Sequence, residues 1–270
     1  MEVLEALDTW QAYSHPELSE CKPEELFSTG FAAQYRFLHK DIWERIVRLN
    51  GTILSLETLR EFPFHLVYAP GNMEFWRLVF SNFYEVTCLN LHGLSGDAGN
   101  DVHSIPSFKK TIVSAQWIDP RAKELLLETL KERRFDSDVR AVAGRVTALR
   151  NNRIAHRLID KENGGFKGDK VGVTLKELRA LFNAVHAQFG AVSFGSAYVT
   201  LAGDMMPGRV QGKPARSCLD GVLDSVLRGS GIVNQPERHG QWWSDLRKCR
   251  SPEELRVMNE LRQRVGLPEA

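Results

Sequence analysis

The sequence predicts an all-α protein: a helical bundle followed by a small helical C-terminal appendage. Apolar residues recur at spacings of three and four in several stretches, which is typical of amphipathic helices. No stretch alternates apolar and polar residues over the length of a strand. We expect an N-terminal extension over residues 1–24, a helical domain over 25–198, and a linker with the appendage over 199–270.

The first long helix is predicted from about Glu25, and the pair Asn50–Gly51 is expected to close it, with a further turn or two before Pro63. The stretch from Phe75 to Leu91 is apolar on nearly every side, which is typical of a helix at the centre of a bundle, and Gly93 is expected to end it. Further helices are predicted at about 107–115, 119–134, 137–160, 174–194, 217–228 and 251–265. The last of these begins with the capping box Ser251-x-x-Glu254.

Composition indicates a soluble globular protein, with 43% hydrophobic and 26% charged residues in a chain of 270. No window approaches 18 uncharged apolar residues, so no membrane span is expected. The four cysteines lie far apart without a C-x-x-C pair, which argues against a zinc ribbon and against a disulfide scaffold. The N-terminus lacks the basic segment of a signal peptide, and we expect a cytoplasmic protein.

The net charge of the whole chain is only +1, but basic residues are concentrated between positions 131 and 157. This segment contains eight basic and three acidic residues, which gives it a local net charge of +5. The basic residues are Lys131, Arg133, Arg134, Arg140, Arg145, Arg150, Arg153 and Arg157. A basic stripe along one helix suits a polyanionic partner, although a solvated helix face has the same composition.

One stretch breaks the local rules of the sequence. Val139, Val142, Val146 and Leu149 form an apolar helical stripe, and the same spacing continues into Arg153, His156 and Asp160. Burying a charged side chain in the core costs free energy unless the charge is paired or takes part in binding or catalysis. Such breaks are typical of functional sites.

The residue types at this break suit cleavage of a phosphodiester. Histidine exchanges protons near neutral pH, and arginine binds phosphate while staying charged. His156 could serve as the general base or acid for attack by a ribose 2′-hydroxyl, and Arg150 could stabilise the charge that develops on phosphorus. The sequence offers no metal-ligand spacing, so no metal and no cofactor are predicted.

Helix geometry bears on how the two residues would act together. On a straight α-helix, Arg150 and His156 face about 120° apart and lie about 9 Å apart along the axis. One helix would not direct both side chains at one atom, whereas two copies across a two-fold axis could. This geometry predicts a homodimer with a composite site.

At this point the residues resemble a known family. The stretch Arg150-Asn151-Asn152-Arg153-Ile154-Ala155-His156 is similar to the Arg-x(4–6)-His motif of the HEPN superfamily, with a polar residue directly after the arginine. The Ala-His ending, the glycine-rich connector over 161–170 and the closing helix look most like the abortive-infection (AbiU-type) branch. The similarity covers about residues 25–198.

The resemblance implies a HEPN-like bundle, a homodimer, and metal-independent RNA cleavage in phage defence or in a toxin–antitoxin system, with an antitoxin or regulatory protein as a further partner. It assigns catalytic roles to Arg150 and His156, with Asn151 as their polar helper. Asn152, Arg153 and Arg157 are predicted to bind RNA phosphates. Leu158 stands where toxins paired with a nucleotidyltransferase have a tyrosine, so control by modification of that tyrosine is not expected.

Other interpretations stay open. His156 could be a core histidine bonded to Asp160, and Arg153 could form a salt bridge without chemistry. Histidines 39, 65, 92, 103, 186 and 239 are interpreted as structural or exposed, and Trp242–Trp243 as packing of the appendage rather than a base-stacking platform. The alternative function is a non-catalytic HEPN-like module that binds RNA, a nucleotide or a partner protein.

Overall fold

The computed structural model confirms the all-α class. It describes residues 15–62, 74–96, 103–132, 134, 137–154, 159–160, 165–166, 172–194, 209–210, 213–214, 222–223, 251–264 and 266. Within these ranges no helix is long and apolar enough to cross a membrane.

Helices account for most of the described residues. They are α1 (Pro16–Ser19), α2 (Pro23–Leu26), α3 (Thr29–Glu61), α4 (Glu74–Ser95), α5 (Ile105–Ser114), α6 (Pro120–Glu132), α7 (Ser137–Leu149), α8 (Leu175–Ala191) and α9 (Pro252–Arg264). A π-helical turn, Arg150–Ile154, directly follows α7.

Two antiparallel pairs of very short strands accompany the helices. β1 (Ile159–Asp160) pairs with β2 (Gly165–Phe166), and β3 (Arg209–Val210) pairs with β4 (Lys213–Pro214). Each strand has only two residues, so no period-2 pattern could reveal it in the sequence. The connector predicted over 161–170 therefore contains one strand of a hairpin.

Several helices begin at signals that are visible in the sequence. The capping box of α9 is confirmed: the Ser251 N–H donates to Glu254, and the Glu254 N–H donates to the Ser251 hydroxyl. The Ser104 hydroxyl caps α5 by accepting a hydrogen bond from the Ser107 N–H at 3.2 Å. Pro23 occupies the first turn of α2, where a missing N–H costs nothing.

The prediction that Asn50–Gly51 closes the first long helix is wrong, because α3 continues to Glu61. Asn50 is buried, and its side chain accepts a hydrogen bond from Arg179 of α8 at 2.7 Å instead of capping a helix end. Buried apolar residues of α3 precede Gly51 and continue after it with Ile53. Tertiary contacts here outweigh the local stop signal.

The prediction that α4 is buried on every side is also wrong. Phe75 is 63% exposed and Leu78 59%, and Val86 and Leu89 are also exposed. The buried residues of this helix lie in its C-terminal half, namely Thr87, Cys88, Leu91 and Leu94. The helix also passes through Gly93, where a Cβ atom would lie 3.1 Å from Nη2 of Arg45. Gly93 therefore makes room for the Arg45 side chain and does not end the helix.

The chain divides into two compact units. One comprises Met1–Leu54 and Phe83–Met206, and the other comprises Ser55–Asn82 and Pro207–Ala270. The candidate site lies in the first unit.

Aromatic side chains form the centre of the first unit. Tyr35 is fully buried and stacks on Phe194 with 5.6 Å between ring centroids. Its hydroxyl donates to the Val192 carbonyl at 2.8 Å and accepts from the Phe194 N–H at 3.0 Å. Phe27 packs edge-on against Trp117 at 4.6 Å. These contacts fix the C-terminal end of α8 against α3, and α8 in turn supports α7.

Candidate functional site

Helix α7 carries the candidate site and turns an apolar face to the core. Val142, Val146 and Leu149 are buried, as the predicted stripe requires, and Val139 is half-buried. Burial of each such side chain stabilises the fold by about 1.5–3 kcal/mol. The apolar part of the stripe therefore ends at Leu149, where the regular helix also ends.

Arg145 connects α7 to the start of α8. Its guanidinium donates to the Gly172 carbonyl at 3.0 Å and forms an ion pair with Glu177. Glu177 is also the third residue of a capping box, since it accepts from the Thr174 N–H at 2.8 Å. The hydrogen bond from Arg145, aided by that from the Thr174 backbone, lowers the pKa of the Glu177 carboxyl to about 2.

The sequence stripe predicted that the α-helix continues beyond Leu149. In the structure the α-helix ends at Leu149. Residues Arg150–Ile154 form a π-helical turn, in which hydrogen bonds join residues five apart. The wider turn changes the direction of the side chains within it, so the angles of a straight α-helix do not apply to residues 150–154. No apolar side chain between Arg150 and Arg153 anchors this segment in the core, and single π turns are frequent at functional sites.

Arg150 and Asn151 form a pair within the π turn. The Arg150 Nη1 donates to the Asn151 Oδ1 at 2.8 Å, and both side chains are half-buried. A guanidinium carries five N–H donors, so it can hold Asn151 and bind a phosphate oxygen at the same time. The bond fixes the guanidinium plane, which favours oriented binding of an anion.

The remaining predicted site residues are only partly described. Asn152 is half-buried in the π turn, and Arg153 lies in the same turn. His156 and Arg157 lie outside the described residues. Asp160 belongs to β1, where it pairs with Gly165. The interpretation of His156 as a core histidine bonded to Asp160 stays open.

Not every basic residue of the stripe faces solvent. Lys131, Arg134 and Arg140 are exposed, whereas Arg145 is held by Gly172 and Glu177. Arg133 and Arg157 lie outside the described residues.

A second histidine, His92 of α4, lies beside the site. Its Nδ1 shares a hydrogen bond of 3.1 Å with the hydroxyl of Thr147, and both residues are half-buried. Thr147 precedes Arg150 by three residues. Sequence reasoning missed this contact because the two residues are 55 positions apart and no pattern connects them.

Two other histidines belong to the core, as predicted. His39 lies 2.9 Å from the Ser193 hydroxyl, and burial lowers the pKa of its imidazole to about 3. His186 stacks on Phe182, and burial lowers the pKa of its imidazole to about 4. Both are neutral at pH 7, so neither supplies charge to a site. His65 and His239, like the pair Trp242–Trp243, lie outside the described residues.

The described part of the chain contains no group of three His, Cys, Asp or Glu residues placed to hold a metal ion. Two of the four cysteines, Cys21 and Cys88, lie in it and form no disulfide. No protein-family profile, curated protein or solved structure matches the chain. The resemblance to the HEPN superfamily therefore rests on the residues quoted above.

Proposed function

We propose that the chain is a metal-independent endoribonuclease of the HEPN type, acting as a toxin or phage-defence effector. The observation that carries this proposal is the Arg150–Asn151 pair, half-buried in a π turn where the apolar stripe of α7 ends. A guanidinium held through one N–H by a neutral amide keeps its other N–H donors for an anionic ligand.

The proposed reaction is attack of a ribose 2′-hydroxyl on the adjacent phosphodiester. The bond from O2′ to phosphorus forms and the bond from phosphorus to O5′ breaks, which leaves a 2′,3′-cyclic phosphate and a 5′-hydroxyl. His156 exchanges the proton of the attacking or the leaving oxygen. Arg150 stabilises the charge on the phosphoryl oxygens, and Asn151 orients Arg150. Asn152, Arg153 and Arg157 bind neighbouring phosphates of the RNA.

The proposed active form is a homodimer. Arg150 and His156 are six positions apart in the sequence, and the resemblance to the HEPN superfamily implies a homodimer in which they act together. A two-fold axis would bring Arg150 of one protomer to His156 of its partner, and would form two equal sites. A toxin of this kind also requires restraint in its host cell, which we assign to an antitoxin or another regulatory protein.

The proposal is tested by incubating labelled RNA in EDTA with wild-type protein, Arg150→Ala and His156→Ala. Each substitution should lower the cleavage rate by about 100-fold or more, since each removes transition-state stabilisation or proton transfer. Lys40→Ala, which removes an exposed basic residue of α3 outside the basic stripe, is the control and should stay near the wild-type rate. Cleavage that survives in Arg150→Ala and His156→Ala would contradict the proposal. Binding of RNA without cleavage by wild type would favour the non-catalytic module instead.

A further inference from the structure

We propose that His92 is a positioning residue of the site: through the hydroxyl of Thr147 it sets the place of Arg150 and Asn151. This inference rests on the ribonuclease proposed above. It assigns a role to a residue on a different helix from the motif.

The contact reaches the site over one helical turn. His92 Nδ1 and Thr147 Oγ1 lie 3.1 Å apart in a half-buried environment. Thr147 precedes Arg150 by three residues and Asn151 by four, so it lies in the last turn of α7, directly before the π turn that carries the pair. A change in the position of Thr147 is therefore transmitted directly to the pair that would bind phosphate.

The His92–Thr147 contact helps to hold the C-terminal end of α7 in place. Arg145 holds one side of this helix to α8, and Thr147 lies about 160° around the helix from Arg145. The two contacts therefore hold α7 from nearly opposite sides. Beyond them only Leu149 anchors the chain in the core before the polar π turn begins. Without the contact on the α4 side, the π turn would lose one of its two lateral supports.

The surroundings of His92 fix its ring. Leu91 and Leu94 are fully buried and anchor this part of α4 in the core. A Cβ atom at Gly96 would lie 3.1 Å from His92 Nδ1 and 3.3 Å from Cε1. Glycine at position 96 thus leaves the space that the imidazole occupies while it contacts Thr147.

The first test compares variants that remove the hydrogen bond with variants that keep it. Thr147→Val and His92→Ala should each lower kcat for RNA cleavage by roughly 10- to 100-fold with KM within about twofold, because a displaced Arg150 stabilises the transition state less well. Thr147→Ser should retain the wild-type kcat. His92→Asn should do so too, because an asparagine amide places a polar atom where Nδ1 lies.

A double variant and two controls separate this role from general damage to the fold. Thr147→Val with His92→Ala should lower kcat no further than either substitution alone, since both break one contact. Thr129→Val removes a hydroxyl that bonds the Leu125 carbonyl on α6, and it should leave kcat unchanged. His103→Ala, at a partly exposed histidine that contacts Asp41, should also leave kcat unchanged.

The proposal is overturned if Thr147→Val and His92→Ala keep the wild-type kcat. It is also overturned if His92→Asn fails to restore kcat, since the imidazole would then act by its own chemistry. If the wild type cuts no RNA, the ribonuclease proposal fails while the positioning role is still decided by NMR. The Arg150 Nε–Hε signal should shift in Thr147→Val and His92→Ala but not in Thr147→Ser and His92→Asn. An unchanged signal in all four variants would reject the positioning role.

Discussion

The Arg150 guanidinium donates to the side chain of its own neighbour, Asn151, at 2.8 Å. The hydrogen bond suggests different roles for the two asparagines of the motif, which the sequence alone does not distinguish. Asn151 holds the guanidinium, whereas Asn152, at the next position of the same π turn, is assigned to the RNA backbone. The two asparagines should therefore respond differently to the same substitution.

Asn151→Ala should lower kcat by about 10-fold with little change in KM, because Arg150 loses the acceptor that orients it in the transition state. Asn152→Ala should mainly raise KM, because it removes a contact that the ground state and the transition state share. Steady-state kinetics on one RNA substrate would measure both effects. Equal loss of kcat in the two variants would contradict this division of tasks.

The prediction of Arg150 and Asn151 as site residues rests on the helical stripe before them and on the motif that contains them. Sequence reasoning could not reach His92, whose partner Thr147 lies 55 residues away. It also extended the stripe as an α-helix to Asp160, although the chain forms a π turn at Arg150–Ile154 and a strand at Ile159–Asp160. A period of 3.6 residues predicts where a helix begins and which face it buries. It does not predict the residue at which the regular α-helix ends.

At the scale of elements, the starts of helices were more predictable than their ends. The Ser251 capping box is local chemistry, and the structure contains it. Asn50–Gly51 and Gly93 are equally good local stop signals, yet α3 and α4 pass through them. In both cases an arginine from another helix contacts the position, Arg179 at Asn50 and Arg45 at Gly93. Such partners are known only once the helices have packed.

The contact between α7 and α8 gives a pH-dependent prediction. The pKa of Glu177 is about 2 in the folded protein against a usual value of 4.5, so its ionised form stabilises the fold above about pH 4.5. This contribution should be lost as the pH falls from about 4.5 to about 2. Glu177→Gln should lower the free energy of unfolding by about 1 kcal/mol at pH 7, as expected for a partly exposed ion pair at a helix start.

Chemical denaturation of wild type and Glu177→Gln at several pH values would measure this effect. The difference between the two proteins should shrink as the pH approaches 2. Glu128→Gln, at an exposed carboxylate of α6, is the control and should show little difference at any pH. A difference for Glu177→Gln that stays constant from pH 7 to pH 2 would argue against the ion pair.

The exposed face of α7 gives a second prediction at this scale. Gly144 lies inside the helix, and a Cβ atom there would meet nothing within 4 Å. Gly144→Ala should therefore raise the free energy of unfolding by about 1 kcal/mol, because alanine favours a helix interior over glycine by that amount. Gly96→Ala should have the opposite sign, since its methyl group would contact the His92 ring and carbonyl. Urea denaturation would measure both, and a destabilised Gly144→Ala would show that its environment is not open.

At the scale of the whole molecule, the all-α class followed from the spacing of apolar residues. Residues 55–82 form a compact unit with residues 207–270. Periodicity reports which face of each helix is buried. It does not report which other helix buries it.

The proposed composite site predicts complementation between two inactive proteins. If Arg150 of one protomer works with His156 of its partner, then mixing Arg150→Ala with His156→Ala restores one intact site in each mixed dimer. Random pairing makes half of the dimers mixed, so about a quarter of the wild-type activity should return. The assay needs exchange of protomers, which brief unfolding and refolding of the mixture provides. Absence of any restored activity in verified mixed dimers would place both residues in one protomer.

The most direct test of the central claim is the chemistry of the RNA ends that wild-type protein produces in EDTA. Attack by the 2′-hydroxyl predicts a 2′,3′-cyclic phosphate on one fragment and a 5′-hydroxyl on the other. It also predicts that a single 2′-deoxy substitution at the cleaved nucleotide stops the cut. Products with a 5′-phosphate and a 3′-hydroxyl, or cleavage at the 2′-deoxy position, would contradict the mechanism assigned to Arg150 and His156.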